Sequence, residues 1–136
     1  MKRQKTLPTT IAATTAVLAA IFSFVSAGPA QASDDDGRVI NTGSCSASTD
    51  WKIKAKPDDG RIEVEAEIDS NQAGQRWRWV LRHDGGVTAR GTSKTRGPSG
   101  SFSVERRTVD ANGRDKFTFR AKHRASGEVC IASVTL

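Results

Sequence analysis

Residues that commonly carry catalysis are scarce in this chain of 136 residues, which has two histidines, two cysteines and no tyrosine. His83 and His123 each end a predicted strand, and neither has a nucleophile and an orienting acid at a recognisable spacing. The chain has no nucleophile-elbow motif, no metal-ligand spacing and no phosphate-binding loop. The sequence therefore predicts no catalytic site, no metal site and no cofactor.

The chain has one long apolar run, from Ile11 to Val25, and no second run of this kind. Lys2, Arg3 and Lys5 precede the run, and the small-residue sequence Ala30-Gln31-Ala32 follows it. These are the three parts of a secretory signal peptide, and the run is too short for a comfortable membrane span. We therefore predict a signal peptide over residues 1–32, cleavage after Ala32, and an exported protein with no membrane span in the mature chain.

Residues 33–44 are predicted to form a flexible acidic tail, because Asp34-Asp35-Asp36 precedes any apolar alternation. Calcium loops need spaced ligands, so this run is not predicted to bind a metal. Residues 45–136 are predicted to form one domain, since about 100 residues suffice for a single core. The formal net charge of the chain is +6. This excess of positive charge favours anionic partners, and the alternative is that it contributes only to solubility.

Cys45 and Cys130 bracket almost the whole predicted domain. In the oxidising environment outside the cell, this pair predicts one disulfide that ties the chain ends together. Lipid attachment is the alternative for Cys45. A lipidated cysteine would directly follow the apolar run, however, whereas Cys45 lies well beyond Val25. We therefore favour the disulfide.

From Thr49 onward, apolar and polar residues alternate with period two, and turn residues interrupt the pattern at short intervals. This alternation is typical of half-buried antiparallel strands, and no segment shows helical periodicity. We predict an all-β fold, a seven-stranded β-sandwich of two antiparallel sheets in a Greek key with one disulfide. Strands 1, 2 and 5 are expected in one sheet, and strands 3, 4, 6 and 7 in the other.

The first predicted hairpin turns at Pro57-Asp58-Asp59-Gly60. A four-residue turn pairs Lys56 with Arg61 and places Lys54 opposite Glu63, so we interpret the lysine and glutamate runs as a cross-strand ladder on a solvated face. In the last strand two inward sets compete, Cys130, Ala132 and Val134 against Val129 and Ile131.

Three segments, Trp51–Val64, Gly74–Trp77 and Gly127–Cys130, resemble immunoglobulin-like and fibronectin type III-like domains. More narrowly, they are similar to a group of small uncharacterised exported proteins of high-GC Gram-positive bacteria. The resemblance implies an immunoglobulin-like sandwich with a core tryptophan on the third strand, and it brings no activity. The chain departs from antibody domains because its cysteines do not lie on the second and sixth strands, and because it has no tyrosine for a tyrosine corner.

Trp77-Arg78-Trp79 admits two functional interpretations. Exposed tryptophans can stack on sugar rings, and the triplet is similar to the aromatic-Arg-aromatic triplet of small secreted α-amylase inhibitors. Those inhibitors carry two disulfides and use the triplet at a turn. Here the triplet lies within a strand, in phase with Leu81, so we predict that both rings pack in the core.

The opposite side of the predicted second sheet is rich in cations. Its outward positions on strands 3, 4 and 6 carry Arg76, Arg78, Arg82, Arg90, Arg120 and Lys122. Guanidinium groups bind carboxylates and phosphates in a bidentate manner. We interpret these six residues as a binding face for an anionic cell-envelope polymer or an acidic protein surface, with a merely solvated face as the alternative. Nucleic acid is disfavoured, because no outward aromatic side chain is available to stack on bases.

The function expected from these patterns is that of a secreted, non-catalytic binding or structural module. The alternative is a secreted inhibitor or ligand of another protein that acts through loops such as residues 93–100.

Overall fold

The computed structural model describes residues 36–136, so the predicted signal peptide lies outside the described residues. Eight β-strands form two four-stranded antiparallel sheets. We call the sheet with strand order β1-β2-β3-β6 sheet I, and the sheet with order β5-β4-β7-β8 sheet II. The strands are β1 (Val39–Ser44), β2 (Asp50–Asp58), β3 (Arg61–Asp69), β4 (Arg76–His83), β5 (Gly86–Lys94), β6 (Ser101–Val109), β7 (Lys116–His123) and β8 (Val129–Thr135). The predicted all-β architecture with two antiparallel sheets is confirmed.

The predicted number of seven strands was wrong, because β1 forms within the segment expected to be a tail. Its backbone pairs with β2 from Val39 opposite Ala55 to Ser44 opposite Asp50. The strand has few apolar residues to reveal it. One of its polar side chains, the amide of Asn41, donates a hydrogen bond of 2.8 Å to the backbone oxygen of Ser133 in sheet II.

Two glycines provide space for tryptophan rings on neighbouring strands. Gly43 pairs with Trp51, and Gly91 pairs with Trp79. A Cβ atom at Gly43 would lie 2.5 Å from the Trp51 ring, and one at Gly91 would lie 2.8 Å from the Trp79 ring. Both distances are shorter than a normal contact between carbon atoms. A residue larger than glycine at either position would therefore clash with the indole ring that covers it.

The β2–β3 hairpin has a different register from the one predicted. Its turn contains only Asp59 and Gly60, both with positive φ (48° and 74°), as in the two-residue turns that match strand twist. Asp58 therefore pairs with Arg61, and each lysine lies opposite a glutamate two positions further along than expected. A shift of two residues preserves the face of every side chain, which is why the lysine–glutamate ladder persists.

The core lies between the sheets and is built from alternating residues of both. Its largest fully buried side chains include Trp77, Phe117 and Phe119 of sheet II and Ile53 and Ile62 of sheet I. Trp79 is 5% exposed, so both rings of the triplet pack in the core, as the alternation predicts. Trp51 is only partly buried and packs at the margin of this core.

The burial of residues in the last strand and in the β4–β5 hairpin shows which side chains of these strands point into the core. Cys130, Ala132 and Val134 are buried, whereas Ile131 is 58% exposed, so the first of the two competing sets faces inward. In β5, a pairing of His83 with Val87 would place Val87 inward with Ala89 and Gly91, which is what the alternation in the sequence predicts. The structure contradicts this prediction, because the pairing of β4 with β5 shifts between Leu81 and Arg82. Val87 is therefore opposite Arg82 and is 45% exposed.

Cys45 and Cys130 form the predicted disulfide. Cys45 follows β1 of sheet I and Cys130 lies in β8 of sheet II, so the bridge joins the two sheets along one edge of the sandwich. The Glu128 carboxylate reinforces this edge by accepting hydrogen bonds from the backbone of Ala47 and Thr49 and from the Thr49 hydroxyl. Among residues 36–136, no helix is long and apolar enough to cross a membrane.

Candidate anion-binding face

All six cations that the sequence singles out project from the outer side of sheet II. Arg76, Arg78 and Arg82 alternate with the buried residues of β4, and Arg120 and Lys122 alternate with those of β7. Arg90 is exposed on β5. Each side chain is exposed except that of Arg82, which is half-buried. The period-two pattern that buries the aromatic residues therefore also turns these cations toward solvent.

Strand pairing brings several of these cations next to one another. Arg78 pairs directly with Lys122 across the β4–β7 ladder. Val80 lies between Arg90 on one side and Arg120 on the other. Since directly opposite residues in a sheet have Cβ atoms about 4.5–5.5 Å apart, this arrangement concentrates positive charge over the middle of sheet II.

A groove of about 300 Å³ lies within this face and is lined by Arg78, Arg120, Lys122 and Arg124. Arg124 was missed by the sequence analysis because it follows the last residue of β7. Its backbone N–H donates to the Arg76 oxygen at 2.9 Å and so extends the ladder by one residue. Four cations around one groove can supply several converging donors to a single anionic group.

Two further cations extend the face beyond the predicted set. Lys94 is opposite Arg76 at the end of the β4–β5 ladder, and Lys116 begins β7; both are exposed. The sequence pattern predicts a loop at Lys94, and it predicts the strand that corresponds to β7 only from Phe117, the first residue of its apolar alternation. Both lysines belong to the face because β5 and β7 extend beyond their apolar residues. The alternation of apolar and polar residues does not reveal this extension.

This face has no acidic side chains to balance its charge. The described strands β4, β5, β7 and β8 contain neither aspartate nor glutamate. Within residues 36–136, the ion pairs involve Arg38, three lysines of β2, Arg107 and His83, and none of the six predicted cations. An exposed cation without an internal partner is available to an external anion.

The outer side of sheet I has the opposite arrangement. Lys52, Lys54 and Lys56 each form an ion pair with the glutamate directly opposite, at N–O distances of 3.2, 2.5 and 3.3 Å. The partners are Glu67, Glu65 and Glu63, respectively. Because these charges neutralise one another across the ladder, the lysines of sheet I do not form a comparable anion-binding face.

The loop between β5 and β6 was the alternative functional region. The exposed residues Arg96 to Ser99 form its tip. The buried Thr95 anchors its base through a hydroxyl bond of 2.6 Å to the Gln72 oxygen and a backbone N–H bond of 2.9 Å to the Gln75 oxygen. The loop is therefore attached firmly to the β3–β4 connection and presents a short, ordered tip.

One cluster contains the adjacent residues His83 and Asp84, whose side chains the sequence predicts to point apart because successive residues of a strand face opposite sides; in the structure they converge. Asp84 is not in the strand but in the turn, with a φ of 48°, and its Oδ2 lies 3.3 Å from His83 Nε2. Asp115, distant in sequence, places its Oδ1 2.5 Å from the same nitrogen. The period-two rule applies to neighbours within a strand, and Asp84 lies just beyond the end of β4.

No protein-family model, curated protein sequence or solved structure matches the chain.

Proposed function

We propose that this protein is an exported, non-catalytic binding module that recognises an anionic polymer of the cell envelope through the outer face of sheet II. The observation that supports the proposal is the combination of six exposed or half-exposed cations and the lack of any acidic residue on the described strands of that sheet. Phosphate or carboxylate groups of a polymer would supply the negative charge that the sheet itself lacks.

The strand arrangement supports assignment of the domain to the immunoglobulin-like class. Three strands of sheet I and four strands of sheet II follow the predicted Greek-key distribution, with β1 as an additional edge strand. A core tryptophan, Trp77, lies on the third of the predicted strands. In this class the sheets provide a rigid platform, so side chains on one outer face keep a constant spacing.

The proposal predicts binding that weakens with salt, because a polyanion releases condensed counterions when cations of the protein neutralise it. The purified protein is to be titrated with heparin and with a polyglycerol-phosphate polymer over a range of salt concentrations. Arg78→Gln combined with Arg120→Gln removes two cations that line the groove. We expect this variant to bind about 10–100-fold more weakly, with a salt slope smaller by roughly 2.

The matched control is Lys52→Gln combined with Lys54→Gln, which lowers the net charge by the same amount on sheet I. We expect the control to bind as the unmodified protein does, because those lysines are already paired with glutamates. Equal weakening in both variants would show that only net charge matters and would overturn the proposal. No binding to either polymer would also overturn it.

The ordered loop tip over residues 96–99 supports a second candidate function, in which the domain is an inhibitor or a ligand of another protein. A loop fixed before binding loses little conformational entropy on association. This candidate predicts that Arg96→Ala removes binding to a protein partner while the pair Arg78→Gln and Arg120→Gln preserves it. A pull-down with both variants from culture supernatant and wall fractions separates the two candidates.

A further inference from the structure

A mixed imidazole and carboxylate cluster lies at one end of the sandwich, away from the groove. It consists of His83 at the end of β4, Asp84 in the following turn and Asp115 immediately before β7. One ligand atom from each of the three residues lies within 4.8 Å of the others. The side chains of His83 and Asp115 are 10% and 3% exposed, whereas that of Asp84 is 46% exposed and opens the cluster to solvent.

The two carboxylates compete for one imidazole nitrogen. Asp115 Oδ1 is 2.5 Å and Asp84 Oδ2 is 3.3 Å from His83 Nε2. A ring nitrogen carries at most one proton, so it cannot satisfy both carboxylates with strong, well-aligned hydrogen bonds. Two carboxylates converging on a largely buried imidazole form a site where a divalent cation neutralises more charge than a proton does.

Each of the three groups is oriented by a contact outside the cluster. The backbone N–H of Lys116 donates to Asp84 Oδ1 at 2.9 Å, and that of Ala111 donates to Asp115 Oδ1 at 3.2 Å. The His83 ring stacks on Phe117 with centroids 4.5 Å apart, and its Nδ1 lies 3.4 Å from the Thr108 hydroxyl. Supporting contacts of this kind hold metal ligands in a fixed orientation.

The Asp115 carboxylate has one oxygen that receives no hydrogen bond from the described residues. Hydrogen bonds reach this carboxylate only at Oδ1, from His83 and from Ala111. Its Oδ2 receives none, although the side chain as a whole is only 3% exposed. The lone pairs of this oxygen are therefore available to a cation.

We propose that His83, Asp84 and Asp115 bind one divalent transition-metal ion of the zinc class, with a remaining coordination position open to solvent beside Asp84. One imidazole with two carboxylates suits zinc better than calcium or magnesium, which take oxygen ligands. Tetrahedral ligands at about 2.0–2.1 Å from zinc are about 3.3 Å apart. The Asp84–His83 distance already has this value, and the Asp115–His83 distance would widen from 2.5 Å.

Such an ion would link two parts of the chain that are separate in sequence. It would connect the β4–β5 turn to the segment before β7, which itself pairs with the last residue, Leu136, through reciprocal backbone hydrogen bonds of 3.2 and 3.0 Å. The inference is independent of the proposed anion-binding function, because none of the three residues belongs to the outer face of sheet II. The bound ion would stabilise this end of the sandwich against unfolding.

The test uses the purified protein without an affinity tag, stripped of metal and titrated with zinc chloride in a calorimeter. We expect one equivalent to bind, and we expect the unfolding temperature to rise as the zinc concentration rises. Asp84→Asn should weaken zinc binding about tenfold or more while preserving the metal-free unfolding temperature. The asparagine oxygen can still accept the Lys116 N–H bond that orients the turn.

The chain offers a closely matched control, Asp59→Asn. Asp59 and Asp84 occupy the same position of two-residue Asp-Gly turns and have the same φ of 48°. The control should bind zinc as the unmodified protein does. His83→Gln should abolish binding. The proposal is overturned by the absence of saturable one-to-one binding, or by equal zinc affinities of the Asp84→Asn and Asp59→Asn variants.

Discussion

Both sheets of this molecule bury apolar residues on their inner sides, but their outer sides differ in charge. Sheet I buries mainly aliphatic residues and neutralises its lysines with glutamates directly opposite. Sheet II buries Trp77, Phe117 and Phe119 and leaves the cations on its outer side without acidic partners. Burial on the inner side therefore does not determine the charge on the outer side, and the difference between the outer sides is what points to a ligand.

The covalent connection between the sheets is the feature whose loss should have the largest effect. Replacing both cysteines with serine removes a bridge between residues 85 positions apart. The chain-entropy relation gives a destabilisation of about 4–5 kcal/mol for a loop of this length. Urea unfolding of the oxidised protein and of the double variant measures the difference. A loss below about 1 kcal/mol would mean that the packing of the two sheets holds this edge without the bridge.

An acidic residue placed on sheet II should make its outer face more like that of sheet I. Thr118 is directly opposite Arg82 on the β4–β7 ladder. Thr118→Glu would give this arginine a partner, so we expect polyanion affinity to fall about 3–10-fold, while stability changes by less than about 0.5 kcal/mol.

Thr42→Glu is the matched control for this change, because Thr42 is an exposed residue of sheet I that lies opposite Lys52. It adds the same negative charge beside a lysine that is already paired with Glu67, and the groove that Thr42 lines contains none of the cations of sheet II. We expect polyanion affinity to change by less than about twofold, since exposed charges beyond a Debye length are largely screened. A similar loss of affinity in both variants would indicate a response to net charge instead of a local face.

The ladder on sheet I should respond to charge reversal by a smaller amount. Lys54 is opposite Glu65, and Glu65 is also opposite Glu105 on β6. Lys54→Glu would place like charges side by side and should destabilise the fold by about 1 kcal/mol without changing polyanion binding.

The exchanged pair, Lys54→Glu with Glu65→Lys, tests whether this loss comes from the cross-strand contact. The new lysine would be opposite both glutamates, so most of the stability should return. Thermal unfolding of the two single variants and the double variant completes the cycle. A double variant as unstable as the sum of the single variants would mean that the ladder contributes no pairing energy.

The faces of the strands could be predicted from the sequence because period-two alternation depends only on local backbone geometry. This is why the buried Trp77 and Trp79 and the outward Arg78 agree with the alternation. The register of the first hairpin could not be predicted in the same way. A turn of two residues and a turn of four residues both keep lysine opposite glutamate, so the charge pattern does not distinguish them.

Other features depend on contacts between distant parts of the chain. β1 has a weak apolar pattern and is held by backbone pairing to β2 and by the Asn41 hydrogen bond to β8. Arg124 reaches the groove because backbone pairing continues past the end of β7. The approach of Asp115 to His83 joins residues 32 positions apart. Neither spacing nor composition contains information about these contacts.

The most direct test of the proposed binding face is a residue-by-residue map of the contact with a polyanion. Amide chemical-shift changes of the isotopically labelled protein are to be recorded as a short heparin oligosaccharide is added. The proposal predicts the largest changes at Arg78, Arg120, Lys122 and Arg124, the residues that line the groove. Changes confined to residues 96–99, or centred on the lysine–glutamate ladder of β2 and β3, would contradict it.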